Sequence, residues 1–311
     1  MKKSIMLILL IVPLIMTACG RMTEEPRTLK VMTHDSFSVS EGVINIFQEE
    51  NGVEVQFIEA GNTGTALNKA ILSKNAPLAD VFYGVDNTFI SRALEEGIFE
   101  PYDSPLLAEI PDRFKLASEN LALPVDFGDV CPNYDIGYFE QVGLKPPQDL
   151  DDLRDPAYKG LLVVENPATS SPGLAFLFTT IRRYGEQGYL DYWRDLVENE
   201  VMIVNDWETA YYNEFSRWGG TRPIVISYGS SPPFEVIFAE EPMDEPFLIR
   251  VISQCQSTSV CSAPSGLVDL GKRSLMKVTL CPTKTSSSIV TPSHIKVWLE
   301  ILQLAPMWAF F

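Results

Sequence analysis

The sequence is poor in histidine and in basic residues. Only two histidines, His34 and His294, occur among its 311 residues, and no Cys/His spacing resembles a zinc site. The 24 Lys and Arg residues stand against 41 Asp and Glu residues, which gives a formal net charge of −17. A phosphate backbone would repel so acidic a chain, so the composition argues against nucleic acid as a partner.

The apolar run at the N-terminus is short. It covers residues 5–16, too few to span a bilayer comfortably, and it lies between two lysines and the small residues before Cys19. This pattern is typical of a secretory signal peptide, and small residues directly before a cysteine resemble a bacterial lipobox. We therefore expect a signal peptide at residues 1–19, lipid on Cys19 and a tether at residues 20–27. The protein would be exported and lipid-anchored, in the periplasm or at the outer face of the cytoplasmic membrane.

Strand and helix signals alternate along the first hundred residues. Strand-like apolar segments lie at 29–32, 53–58 and 79–83, and helical spacing follows them at 39–47, 65–72 and 89–96. This βαβαβα order predicts a parallel sheet covered by helices. A crossing segment at 121–127 precedes a second series, with strands at 161–164, 202–204 and 223–227 and helices at 174–184, 189–198 and 209–215. The chain is therefore predicted to form two α/β lobes, at residues 28–123 and 124–233, that face each other across a cleft.

Polar and aromatic residues follow the predicted strands, where ligands bind in such sheets. They comprise the carboxylates Asp35 and Asp86, the aromatic residues Trp207 and Tyr228, and the helix start Ser170, Ser171 and Gly173. A carboxylate opposite an aromatic face suits an organic cation. Hydroxyls and free N–H groups at a helix start suit an anion or a polar head group, and an ordinary capped helix fits the same pattern. Together these residues indicate a site for a flat, cationic, partly polar small molecule.

Six ordered motifs resemble those of the thiamine-binding proteins of ABC importers. They are T-H-D-S-F at 33–37, F-Y-G-V-D-N at 82–87, P-V-D-F-G-D-V at 124–130, E-N-P-A-T-S-S-P-G-L at 165–174, D-W-E-T-A-Y at 206–211 and S-Y-G-S-S-P at 227–232. The resemblance covers roughly residues 29–246. It implies a two-lobed α/β periplasmic-binding-protein fold, without cofactor or metal, that captures thiamine or a thiamine phosphate and delivers it to an ABC permease. It also implies a monomer that makes and breaks no bond.

The resemblance implies a set of ligand-binding residues in both lobes. His34, Asp35 and Ser36 would lie at the cleft edge of the first lobe, with Asp86 and Asn87 as further contacts. Ser170, Ser171 and Gly173 would lie near the hydroxyethyl or phosphate end of the ligand, Trp207 and Tyr228 against its rings, and Tyr211 in the same set.

Two other functions remain open on the sequence. Tyr211 and Tyr212 are adjacent and phenolates bind ferric ion, but neighbouring helical residues point in different directions and His34 is the only further candidate ligand. An exported hydrolase would draw on His34, Asp35 and Ser36. Adjacent residues cannot hold one another in a triad, and no G-x-S-x-G nucleophile elbow is present, so we predict that the protein is not an enzyme.

The composition and periodicity of the sequence change late in the chain. Residues 234–311 are predicted to return toward the first lobe, but 247–311 contain six basic and two acidic residues, many serines and threonines, and no clear helical period before 295–304. Family members continue with a returning strand, further helices and an aromatic segment that are not recognisable here. We interpret 247–311 as divergent or frame-shifted and as a candidate for disorder. Cys255, Cys261 and Cys281 lie in it, and with Cys131 they leave the disulfide pairing open.

Overall fold

A computed structural model describes residues 27–237, 249–251 and 273–280. The predicted signal peptide, Cys19, almost all of the tether, the three late cysteines and the helical period at 295–304 lie outside the described residues. In the described part, no helix is long and apolar enough to cross a membrane.

The secondary structure alternates strands and helices, as the sequence predicts. The strands are β1 (Arg27–Thr33), β2 (Val53–Glu59), β3 (Val81–Tyr83), β4 (Leu123–Gly128), β5 (Val130–Asp135), β6 (Leu162–Glu165), β7 (Met202–Val204), β8 (Ile224–Tyr228), β9 (Ile249–Val251) and β10 (Arg273–Leu280). The α-helices are α1 (Glu41–Asn51), α2 (Thr63–Leu72), α3 (Ile90–Glu95), α4 (Ile136–Val142), α5 (Ser171–Glu198) and α6 (Ser231–Ile237). A π-helical turn spans Thr209–Glu214. Short 3₁₀ turns lie at Pro105–Glu109, Asp112–Phe114, Ser118–Asn120, Asp152–Arg154, Pro156–Tyr158 and Ser216–Trp218.

Two mixed sheets of five strands each organise the described residues. The first has the order β2-β1-β3-β10-β4, in which β1 pairs in parallel with β2 and β3 while β10 runs antiparallel to β3 and β4. The second has the order β7-β6-β8-β5-β9, in which β6 is parallel to β7 and β8 while β5 is antiparallel to β8 and β9. The chain changes sheets at Asp129, between β4 and β5. The α/β class predicted from the sequence is confirmed.

Each sheet is covered on both faces because successive strand residues point to opposite sides. On β1, Val31 packs in one buried cluster with Phe47, while Met32 packs in another with Leu67. Likewise Val163 on β6 packs beside Phe215, on the face opposite to Leu162 and Val164. Each lobe therefore has its own core, and the space between the lobes is left to polar residues and a few aromatic ones.

The structure changes three predicted helices. The first was predicted at 39–47, but α1 begins after Ser40, whose backbone is extended, and ends at Gly52, whose φ of 61° stops it in the left-handed region. The two helices predicted at 174–184 and 189–198 form the continuous run α5, but Gly185 inside it has φ 73° and ψ 173°. A non-helical glycine therefore divides α5 close to the predicted gap.

Candidate functional site

A cleft lies between the two lobes, where the carboxyl ends of five strands meet. Its lining residues follow β1, β2, β6 and β7 or end β8, as expected for ligand sites in such sheets. They are His34, Asp35, Ser36, Asn62, Thr63, Ser170, Ser171, Pro172, Asp206, Trp207, Glu208 and Tyr228. The cleft offers about 610 Å³ of free space, counting the part open to solvent, which suits a small molecule.

Seven of the predicted site residues line this cleft. They are His34, Asp35, Ser36, Ser170, Ser171, Trp207 and Tyr228. Asp86, Asn87, Gly173 and Tyr211 are not among the lining residues, and the role of all eleven in ligand binding stays a prediction. Asn62, Thr63, Pro172, Asp206 and Glu208 line the cleft without having been predicted. Asp206 and Glu208 could have been predicted from the sequence, because they flank the predicted site residue Trp207.

His34 is a buried, uncharged polar residue of the first lobe. It is 7% exposed, its Nδ1 lies 3.0 Å from Ser36 Oγ, and its ring centroid lies 5.8 Å from that of Tyr83. Among the described residues its Nε2 has no hydrogen-bond partner. Burial lowers the pKa of His34 to about 4, so the imidazole is uncharged at neutral pH. It therefore adds no positive charge to the cleft, and its Nε2 is buried.

Gly84 makes room for this imidazole. Its φ is 113°, which L side chains rarely adopt, and a Cβ built on it would lie 2.6 Å from Cδ2 of His34. Glycine is therefore needed after β3 for two separate reasons. The backbone has a positive φ there, and a side chain would overlap the His34 ring.

Carboxylates from both lobes face the mouth of the cleft. Asp35 accepts a hydrogen bond from the Gly61 amide at 2.7 Å, and Asp206 accepts one from the Thr209 amide at 2.7 Å. Glu208 is largely exposed. Its pKa is raised by the burial of part of its side chain and by the negative charges of Asp35, Asp206 and Glu59. None of the lining residues in the described part of the chain is Lys or Arg. The local field therefore favours a cation.

Trp207 is fixed from behind. Its indole Nε1 donates to Ser227 Oγ at 2.8 Å, and its ring stacks on Tyr211 with 4.9 Å between centroids and 18° between planes. The ring of Tyr228 lies 6.2 Å away. An indole held on one face and at its nitrogen presents a rigid aromatic surface to the cleft.

The adjacent tyrosines diverge. Tyr211 is 1% exposed and donates to Glu235 Oε1 at 3.1 Å, whereas Tyr212 is 40% exposed and its ring stands at 87° to that of Tyr211. Burial and the Glu235 carboxylate raise the pKa of Tyr211. Across residues 27–237, 249–251 and 273–280, no group of three or more His, Cys, Asp or Glu residues is placed to hold a metal ion.

Glu165 is a buried carboxyl group next to the cleft. It ends β6, is fully buried, and neither side-chain oxygen has a hydrogen-bond partner among the residues described. Burial raises its pKa well above the ordinary value, and nearby Asp206 raises it further. Burial raises the pKa of the Tyr228 hydroxyl, and the Asp86 and Glu165 carboxylates raise it further. Both shifts favour the uncharged form of the group.

Two predicted site residues have structural partners, and a third begins a helix. Asp86 accepts hydrogen bonds from Thr88 and Phe89 at the start of α3. A Cβ on Gly173 would overlap the carbonyl oxygen of Glu165, so this glycine allows α5 to pack against the end of β6. Ser170 is the N-cap residue of α5, as predicted, but its side chain makes no capping hydrogen bond. Pro172 lies in the first turn of that helix.

Residues 76–231 match the family model of the bacterial extracellular solute-binding proteins, and the chain belongs to this family. It is similar to the thiamine-binding periplasmic protein of Brucella suis biovar 1 (strain 1330), with 29% identity over 217 residues that cover 68% of this chain and 61% of the relative. It is also similar to that of Escherichia coli (strain K12), with 26% identity over 235 residues that cover 72% and 67%. The matched part thus spans about three fifths of the first relative's length.

Solved structures share the fold. A periplasmic thiamin binding protein superposes with a TM-score of 0.68 at 19% identity, covering 93% of this chain and 81% of that one. Iron-bound HitA from Pseudomonas aeruginosa gives 0.63 at 14% identity, covering 91% and 83%. These likenesses confirm the predicted two-lobed periplasmic-binding-protein fold, and neither decides the ligand.

Proposed function

We propose that this protein binds thiamine, or a thiamine phosphate, outside the cytoplasm and delivers it to an ABC permease. The observation that carries the proposal is that one cleft combines the aromatic residues Trp207 and Tyr228 with the carboxylates of Asp35, Asp206 and Glu208. The two relatives described above, which match most of the described chain, are named as thiamine-binding proteins, and this supports the same ligand class.

The chemistry of thiamine complements each part of the cleft. Its thiazolium ring is a permanent cation, which the carboxylates attract and the Trp207 face stabilises by about 0.5–2 kcal/mol as water is excluded. Its pyrimidine is flat and suits stacking. The hydroxyethyl group, or a phosphate on it, would lie at the start of α5, where Ser170 and Ser171 line the cleft. Neutral His34 does not repel the cation.

The proposed mechanism is capture by two lobes. Contacts from Asp35 on one side and from Trp207 and Glu208 on the other stabilise the arrangement in which the lobes meet, and the permease recognises that arrangement. No bond is made or broken, and no resident cofactor or metal takes part. The protein would act as a monomer, tethered through lipid on Cys19.

A calorimetric titration of the full-length protein with thiamine chloride tests this proposal. We expect saturable one-to-one binding and a higher melting temperature in the presence of ligand. Choline chloride, a cation without flat rings, serves as the control and should bind far more weakly. Ferric citrate tests the iron alternative, which would give a visible phenolate-to-iron absorption band. Absence of thiamine binding in a sample that melts cooperatively would overturn the proposal.

A further inference from the structure

The two lobes touch directly at the start of α2. The backbone amide of Gly64 donates to the carbonyl oxygen of Thr169 at 2.8 Å, and Nδ2 of Asn62 donates to the carbonyl oxygen of Asn205 at 2.7 Å. Asn62 and Gly64 belong to the first lobe, whereas Thr169 and Asn205 follow β6 and β7 of the second. We refer to these four residues as the interlobe latch.

The second-lobe side of the latch is held by hydrogen bonds within that lobe. The Asn166 amide donates to the Val204 carbonyl at 2.7 Å, and Thr169 Oγ1 donates to the Asn205 carbonyl at 2.8 Å. These bonds tie the loop after β6 to the loop after β7. The two carbonyl oxygens that face the first lobe are therefore held in fixed positions.

Gly64 is required by the opposite lobe and not by its own helix. Its φ lies outside the left-handed region, so an L side chain would suit the backbone of α2. A Cβ built on it would nevertheless lie 2.8 Å from the Ala168 carbonyl oxygen and 2.9 Å from Cα of Thr169. These are backbone atoms, which cannot move aside as a flexible side chain can. Any larger residue at position 64 would keep the lobes apart.

Asn62 has both ends of its amide in use. Its Oδ1 accepts from the Thr65 amide at 3.2 Å and caps α2, while its Nδ2 reaches across to Asn205. Although Asn62 lines the cleft, its side chain is thus committed to the helix and to the other lobe.

We propose that Asn62 and Gly64 hold the two lobes together and thereby set how tightly the cleft retains its ligand. Like charges oppose this contact, because Asp35 and Glu59 of the first lobe raise the pKa of Glu208 in the second. The latch offsets part of that repulsion, and a cationic ligand offsets the rest. The effect on retention rests on the proposed function, whereas the contact between the lobes does not.

Gly64→Ala tests the latch, with Gly42→Ala as its matched control. Each glycine is the second residue of its helix, and a Cβ on Gly42 would have no heavy atom within 4 Å. In the full-length protein we would measure hydrogen exchange of the residue 64 amide without ligand, and thiamine affinity by calorimetry. We expect Gly64→Ala to speed exchange and to weaken binding by about tenfold, which corresponds to about 1.4 kcal/mol. Gly42→Ala should leave both unchanged.

Asn62→Ser supplies a second test should Gly64→Ala fail to fold. Serine caps a helix about as well as asparagine does and adds no charge to the cleft, but its short side chain cannot donate to the Asn205 carbonyl. We expect the same faster exchange and weaker binding. Wild-type exchange and affinity in both folded variants would overturn the latch and leave the thiamine assignment intact. Faster exchange in a protein whose wild type does not bind thiamine would support the latch and overturn the ligand.

Discussion

Tyr211 lies nearly parallel to Trp207, with 4.9 Å between the ring centroids. Tyr211 is buried, and its hydroxyl is held by Glu235, so the indole rests on a support that is itself fixed. The indole would therefore lose little conformational freedom if a ligand stacked on its cleft face. Tyr211 therefore supports the Trp207 ring from the side away from the cleft.

Trp207→Ala should weaken thiamine binding by at least about tenfold, since it removes a preorganised aromatic face and its cation–π contact. Calorimetry would measure the affinity, and circular dichroism would verify the fold. Trp218→Ala is the control, because Trp218 lies in the same lobe, is 44% exposed and does not line the cleft. Equal affinities in the two variants would remove Trp207 from the binding site.

Glu208→Gln should weaken thiamine binding by about three- to tenfold at low salt, and by less as the salt concentration rises, because the carboxylate is exposed and screened. The raised pKa of Glu208 adds a pH signature. Its ionised form attracts the cation, so the advantage of wild type over Glu208→Gln should grow as pH rises above the usual Glu range. Binding would be titrated from pH 4 to 8. Glu198→Gln, an exposed position outside the cleft, is the control and should show neither effect.

Glu165→Gln should raise stability at neutral and alkaline pH. Because the pKa of buried Glu165 lies well above 4.5, folding favours its protonated form, and stability from this source is lost as pH rises from 4.5 through the folded pKa. The glutamine has no such proton to lose. The difference in unfolding free energy between variant and wild type should therefore grow with pH, by at most about 1.4 kcal/mol per pH unit. Denaturant unfolding across pH 4–9 measures it. A difference that stays flat with pH would contradict the prediction.

Gly84→Ala should destabilise the protein and disturb His34, whereas Gly97→Ala should only destabilise it. Both glycines have positive φ, 113° and 61°, but a Cβ on Gly97 would meet no heavy atom within 4 Å. We expect a loss of about 1–3 kcal/mol for Gly84 and about 1 kcal/mol for Gly97. The imidazole NMR signal of His34, which titrates at about pH 4, should move in Gly84→Ala alone. Identical His34 titrations in the two variants would show that the predicted overlap is relieved elsewhere.

Local sequence patterns predicted which residues follow each strand but not where their side chains point. Trp207 and Tyr228 line the cleft as expected because each follows or ends a strand at its carboxyl edge. Asp86 occupies an equivalent position, but its carboxylate binds the next turn of its own chain. Whether such a side chain binds its own loop or faces the cleft depends on hydrogen bonds within a few residues. The periodicity of the sequence does not encode these bonds.

Contacts between distant segments were beyond the reach of the sequence patterns. The contact of Gly64 with Thr169 joins a helix start in one lobe to a loop in the other, and nothing in either segment specifies its partner. Similarly, β4 was predicted as part of a crossing segment because its partner β10 comes from a distant and atypical part of the chain. A strand without a recognisable neighbour in the sequence cannot be placed from its own residues.

The position of β10 affects the order in which the lobes can be completed. Leu280 pairs with Val81, and Val278 pairs with both Tyr83 and Leu123, so β10 joins β3 to β4. Strands β5 to β8 precede β10 in the chain and already form four adjacent strands of the other sheet. During synthesis the second lobe can therefore assemble while β3 and β4 still have open edges. Because such edges invite pairing with other chains, the first lobe stays prone to aggregation until residues 273–280 arrive.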